Sequence, residues 1–185
     1  ARPLYGVGAS PSVLHATRYL MQAVPFLIPG APIGLHRLWQ VFLFLGASWL
    51  TASLLLRRLR SGLGQVSQIP PVLLKIWQSS DPGSRSTARW ALLTVWGALF
   101  LLQAPVYYHL LVIPSLVFWG FNARHFWRSL IVVSIASLWA GLSRVNWLPM
   151  PGLLATAIYL LETPLPPSRP RSAIRYLFPP ALWVA

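Results

Sequence analysis

The chain has 185 residues, of which 56% are apolar and only 9% charged, and its mean hydropathy is +0.59. A water-soluble domain of this length could not bury so much apolar surface in one core, so the composition predicts a protein that meets the lipid bilayer. Fifteen Lys and Arg stand against two acids, but they flank apolar runs and form no nucleic-acid-binding motif, which argues against nucleic acid as a partner.

The first apolar stretch, at 12–28, carries His15, Arg18 and Gln22 at steps of three and four, which places them on one face of a helix. That face is typical of a helix at the membrane interface or lining a polar cavity, and the interfacial interpretation is preferred. The next run, 38–56, is long enough at ~1.5 Å per residue to cross a hydrocarbon core of about 30 Å. Small residues within it would permit close contacts with other helices: Gly46, Ala47, Ser48, Ala52 and Ser53.

The later apolar runs predict further membrane segments. Spans are predicted at 86–104, 106–121 and 126–142, and a shorter run lies at 153–161. Pro114 predicts a kink in the third span, because proline removes a helical hydrogen bond. Within the polar connection 57–89, the apolar stretch 72–77 is too short to span and is expected on the membrane surface. The predicted fold is therefore all-α: a polytopic transmembrane helix bundle with four to six membrane-embedded segments, some kinked by proline, in one domain covering 1–185.

The distribution of basic residues predicts the orientation. Alternating spans place 57–89, 122–128 and the Pro/Arg-rich segment 163–176 on one side, and these segments hold eleven of the fifteen basic residues. The positive-inside rule makes that side cytoplasmic, as in a multi-pass protein of the bacterial cytoplasmic (inner) membrane. The chain begins without Met and stops within an apolar stretch, so a fragment of a longer protein is expected.

Three groups of polar residues fall at span ends on the opposite, exoplasmic side. The candidate substrate-binding residues are His36, Arg37, Tyr108, His109, Arg144, Asn146 and Trp147. An Arg fork matches phosphate or pyrophosphate, and a nearby His can move a proton, so these residue types suit a phosphorylated lipid-linked substrate. The competing interpretation is that they are anchors, since Arg, Trp and Tyr at helix ends commonly reach the headgroups.

Other chemistries have weak support in the sequence. The two acids, Asp81 and Glu162, are both predicted at cytoplasmic span ends, away from the exoplasmic group, which argues against a carboxylate pair for glycoside hydrolysis. The four His lack the spacing and carboxylate company of a metal site, so no metal is expected. The sequence contains no phosphate-binding loop, dinucleotide fingerprint or nucleophile elbow, and no cofactor is predicted.

At 139–152, 159–162 and 103–109, the chain resembles a family of large, uncharacterised bacterial polytopic inner-membrane proteins. These are in turn distantly similar to O-antigen ligases and polymerases and to the membrane domains of C-type glycosyltransferases. The resemblance to the ligases implies Arg and His that handle an undecaprenyl-pyrophosphate-linked glycan, and Arg144 and His109 are the comparable positions. C-type glycosyltransferases place an acidic base in an early exoplasmic loop, and this sequence has none there.

Two hypotheses of function follow. In the first, the chain handles a polyprenyl-phosphate-linked glycan at its exoplasmic Arg and His, and any catalysis would be that of a membrane glycosyltransferase or O-antigen ligase-like transferase. In the second, it is a non-catalytic structural or assembly subunit that packs against other membrane subunits through small-residue helix faces. A proton-coupled transporter is disfavoured, because the predicted spans contain no acid.

Overall fold

The structure is a computed structural model that describes residues 15–62, 84–103, 108–164 and 170–184. Every regular element within those ranges is helical, in agreement with the predicted all-α class. The α-helices are α1 (Ala16–Gln22), α2 (Ile33–Gly62), α3 (Ser84–Gln103), α4 (Val112–Gly120), α5 (Phe126–Ser143), α6 (Met150–Glu162) and α7 (Pro170–Val184). Short 3-10 turns occur at Val24–Leu27, Tyr108–Leu110 and Val145–Trp147.

Two helices of the described part of the chain are long and apolar enough to cross a membrane. They cover Ile33–Arg60 and Phe126–Ser143, and they contain the predicted spans 38–56 and 126–142. Of the residues predicted to span at 86–104, those up to Gln103 lie in helix α3 and residue 104 lies outside the described residues, but α3 is not among these two candidates. The outer face of α2 fits a lipid environment, since several of its large apolar side chains are more than half exposed, among them Phe42 at 60% and Trp49 at 52%.

The predicted third span is divided into two short elements. A 3-10 turn at Tyr108–Leu110 precedes α4, and together they form an apolar segment shorter than a full span. The prediction of a proline kink at Pro114 is wrong. This residue lies in the first turn of α4, where backbone N–H groups have no partner within the helix, so proline costs no hydrogen bond there.

The segment 163–176, predicted as a Pro/Arg-rich connection, becomes helical at Pro170, where α7 begins. Helix α7 packs on α6 and buries Trp183, which is 4% exposed and meets Phe121 and Tyr159 edge to face. A side chain at Gly152 would collide with the carbonyl oxygen of Trp183, so glycine permits this close approach. The predicted surface stretch 72–77 lies outside the described residues.

Helices α4 to α7 share the main apolar core, and α2 joins it through small and polar residues. Ser48 and Ala52 of α2 are buried, and a Cβ on Gly97 of α3 would lie 3.5 Å from the Ala52 Cβ. The Thr51 hydroxyl lies 2.8 Å from the Ser115 hydroxyl of α4. The small-residue face of α2 predicted from the sequence therefore packs largely within the chain, although Gly46 still has open space around it.

A bidentate ion pair fastens the far end of α2 to α6. Arg58 Nε and Nη2 donate to the two carboxylate oxygens of Glu162 at 2.7 and 2.9 Å. Arg58 Nη1 also donates to the carbonyl oxygens of Phe118 and Phe121, at 3.1 and 2.9 Å. These carbonyls lie at the end of α4, where helical C=O groups lack partners, so one guanidinium joins three helices.

Candidate functional site

Four basic side chains from three parts of the chain converge where α5 ends. We call His15, Arg18, His109 and Arg144 the cationic cluster. His15 precedes α1 and Arg18 lies within it, His109 belongs to the 3-10 turn before α4, and Arg144 directly follows α5. The cluster therefore depends on the packing of α1 and the 3-10 turn against the same end of α5.

Hydrogen bonds between α1 and α5 fix the position of His15. Its ring Nδ1 donates to the carbonyl oxygen of Ser143 at 3.1 Å. The other ring nitrogen, Nε2, then faces Arg144, whose Nη2 lies 3.4 Å away.

A second contact closes the interface between α1 and α5. The hydroxyl groups of Thr17 and Ser143 are hydrogen-bonded to each other, and both residues are almost completely buried. The Ser143 hydroxyl also lies 3.2 Å from the carbonyl oxygen of Trp139, one helical turn earlier. These buried, hydrogen-bonded hydroxyl groups fix the position of α1 on α5.

His109 is the innermost member of the cluster and is fully buried. The indole Nε1 of Trp139 donates to its backbone carbonyl at 2.8 Å, and its ring centroid lies 5.6 Å from that of His15. His109 lies outside both candidate spans. Burial lowers its pKa to about 4, and the neighbouring charges of His15, Arg18 and Arg144 act in the same direction.

Tyr108 lies beside the cluster and adds a hydroxyl group to it. Burial raises the pKa of this phenol, and the adjacent Gln22 and Arg18 oppose that rise. Arg18 acts on both Tyr108 and His109, so its charge lies near both residues. The site combines two guanidinium groups, two imidazoles and a phenol, a set that suits an anion with several oxygens.

The electrostatic balance of the cluster is one-sided. Of the two acids in the chain, Glu162 binds Arg58 at the other end of α5, and Asp81 lies outside the described residues. Within the described ranges, no group of three or more His, Asp or Glu is placed to hold a metal ion. The described part of the molecule thus places positive charge at this site without a carboxylate beside it.

Only some of the residues chosen from the sequence meet in this site. Tyr108, His109 and Arg144 are brought together, as the hypothesis of a common site requires. His36 instead contacts the Phe26 ring at 4.4 Å between centroids. The remaining three, Arg37, Asn146 and Trp147, are exposed, and no hydrogen bond or ring contact joins them to the described side chains of the cluster.

His15 and Arg18 were missed as site residues, although the sequence carried their signal. Their spacing with Gln22 predicts one polar helix face, and two environments were compatible with it. The preferred interpretation, a face at the membrane interface, stays a prediction. The face lines the cationic cluster, because Thr17 and His15 hold α1 against the end of α5.

Comparison of the chain with protein-family models, characterised proteins and solved structures finds no match. The functional argument therefore depends on residues and geometry. Two Arg can supply paired N–H donors to phosphate oxygens, and two imidazoles can supply further donors or a proton-accepting nitrogen. Chemically, the cluster can bind a phosphate-like anion and can exchange a proton with it.

Proposed function

We propose that this chain is a multi-pass protein of the bacterial inner membrane that binds the phosphate or pyrophosphate group of a polyprenyl-linked glycan at the cationic cluster. The observation that carries the proposal is the convergence of Arg18, Arg144, His15 and His109 with no described carboxylate among them. An anion would offset the repulsion among these groups, which otherwise costs stability.

The position of the cluster supports a lipid-linked ligand rather than a freely soluble one. Helix α5 has 18 residues and is therefore about 27 Å long, close to the thickness of a hydrocarbon core. Arg144 follows its last residue, so insertion of α5 would place the cluster at the depth of lipid phosphates. Exposed apolar side chains near that end, such as Leu142 and Val145, would face the lipid tails.

The same geometry would also serve a transfer reaction. Burial and the neighbouring cations both lower the pKa of His109, and a phosphate bound beside Arg144 would oppose the effect of the cations and so raise this pKa. His109 could then accept the proton of a hydroxyl group that attacks the anomeric carbon of the glycan, while the bond from that carbon to the phosphate oxygen breaks and the polyprenyl (pyro)phosphate leaves. Binding is the primary proposal, and glycan transfer by a ligase-like mechanism is a second step that depends on it.

The binding proposal is tested with the purified chain in detergent, using farnesyl pyrophosphate and inorganic pyrophosphate as probes in calorimetric titrations. Arg144→Gln should weaken farnesyl pyrophosphate binding by about tenfold, since a charge-assisted hydrogen bond contributes on the order of 1.5 kcal/mol. The matched control is Arg37→Gln, which removes an equally exposed charge outside the cluster and should change the affinity less than about twofold.

These titrations test the ligand and its binding site separately. Equal affinity for the two probes would overturn the lipid-linked ligand, and equal effects of the two variants would overturn the cluster as its site. If Arg144→Gln left binding intact but reduced accumulation in the membrane, the non-catalytic subunit would be the better description.

A further inference from the structure

A second polar site lies at the opposite end of α5, beside the pair of Arg58 and Glu162. The end of α2, the connection between α4 and α5 and the end of α6 enclose an open cleft of about 990 Å³. We call it the basic cleft. A cleft of this volume is large enough for a lipid headgroup with the start of its acyl chains.

The charge of the basic cleft comes from its rim. Arg58 and Glu162 form its inner wall, and their bidentate contact neutralises both charges. Arg57 and Arg124 also line the cleft and are exposed, and Arg124 adds positive charge at the rim. An anionic group would therefore be attracted to the rim of the cleft.

Arg124 is presented on a connection with defined hydrogen bonds. Its backbone N–H donates to the Asn122 side-chain oxygen at 3.0 Å. Asn122 is held in turn by Ser129 of α5, whose hydroxyl donates to the Asn122 carbonyl at 2.7 Å and lies 3.1 Å from its N–H. The side chain of Arg124 is exposed, and the turn that carries it is positioned without using its guanidinium.

Part of the remaining lining is apolar, and one apolar side chain there faces outwards. Leu54, Phe118 and Trp119 line the cleft, and Trp119 is 70% exposed. The cleft also lies where one candidate span ends, at Arg60, and the other begins, at Phe126. A site that joins cationic side chains to an exposed apolar wall at the ends of two spans matches an amphiphile rather than a soluble anion.

We infer that the basic cleft binds an acidic lipid, with its phosphate at Arg124 and its acyl chains along Trp119. This site is separate from the cationic cluster and does not depend on glycan binding there. Arg58 does not bind the phosphate directly. Its donors Nε and Nη2 already bond to the carboxylate of Glu162.

The inference is tested by native mass spectrometry of the detergent-solubilised chain with phosphatidylglycerol or phosphatidylcholine. The wild-type chain should retain phosphatidylglycerol preferentially, and Arg124→Gln should reduce the retained fraction by about fivefold, as expected for loss of one charge-assisted contact. Arg175→Gln is the matched control: Arg175 is exposed and adjoins Tyr176, whose hydroxyl donates to Thr163 at the same end of the molecule, but it does not line the cleft.

Equal retention of the two lipids, or equal losses in Arg124→Gln and Arg175→Gln, would overturn the inference. Displacement of phosphatidylglycerol by millimolar inorganic phosphate would identify the cleft as a site for a soluble anion and would also overturn it. Arg144→Gln should keep full phosphatidylglycerol binding, which separates this site from the proposed function. Thermal melting of each variant confirms that a loss of lipid is not a loss of fold.

Discussion

The arginines at the two ends of helix α5 differ in their contacts and in their exposure. At the Phe126 end, Arg58 is bound by a carboxylate and by backbone carbonyls, and only 14% of its side-chain surface is exposed. At the Ser143 end, Arg144 is exposed and its described partner is the ring of His15. A paired arginine holds helices together, whereas an arginine among other bases is available for a ligand.

Removing the carboxylate of Glu162 should have the largest effect on the stability of the protein. Glu162→Ala leaves the guanidinium of Arg58 partly buried without its counter-ion, and we expect a loss of about 3 kcal/mol in the free energy of unfolding. Denaturant titration in detergent measures it. Glu162→Gln keeps an acceptor of similar volume and should lose less, about 1–2 kcal/mol. Unchanged stability in the Ala variant would mean that the ion pair does not hold α2 to α6.

The pH dependence of stability tests the cationic cluster at the Ser143 end of α5. The unfolded state protonates His109 below pH 6.5, whereas the folded state stays neutral until the lowered pKa of about 4 is reached. Stability should therefore fall as pH is lowered through this window, by about 2 kcal/mol between pH 6.5 and 5. His109→Gln should flatten this slope and His36→Gln should not. Identical pH profiles for the wild type and His109→Gln would contradict the lowered pKa.

Removing Arg144 should have the smallest effect on stability. We expect Arg144→Gln to change the free energy of unfolding by less than about 0.5 kcal/mol, since relief of repulsion offsets the lost contact to His15. Arg58→Gln is the counterpart and should destabilise by about 3 kcal/mol. Thermal melting of both variants compares them directly, and equal losses would remove the distinction between a structural and a ligand-binding arginine.

Local patterns predicted the long helices well. The apolar runs at 38–56 and 126–142 lie inside α2 and α5, because length and hydropathy are sufficient to identify such helices. The predicted kink at Pro114 was wrong because apolar composition does not reveal where the preceding turn ends and α4 begins. That four to six segments are embedded in the membrane stays a prediction.

The sites depended on information that local patterns do not contain. Arg58 and Glu162 are 104 positions apart, and Thr17 and Ser143 are 126 apart, so neither pair can be predicted without knowing which helices pack together. Tyr108, His109 and Arg144 were chosen by residue type and predicted side of the membrane, and they do meet. The side chains of His36, Arg37, Asn146 and Trp147 were chosen in the same way and have no described contact with the side chains of the cluster, although the Trp147 backbone N–H donates to the Arg144 carbonyl at 3.0 Å.

The hydroxyl contact between Thr17 and Ser143 limits when α1 can dock during synthesis. Helix α1 leaves the ribosome more than a hundred residues before the end of α5, on which it packs, has been made. His15 and Arg18 must therefore wait, without their final neighbours, until α5 has emerged. The cationic cluster is completed late in assembly, and a nascent chain that stops before residue 143 would not contain it.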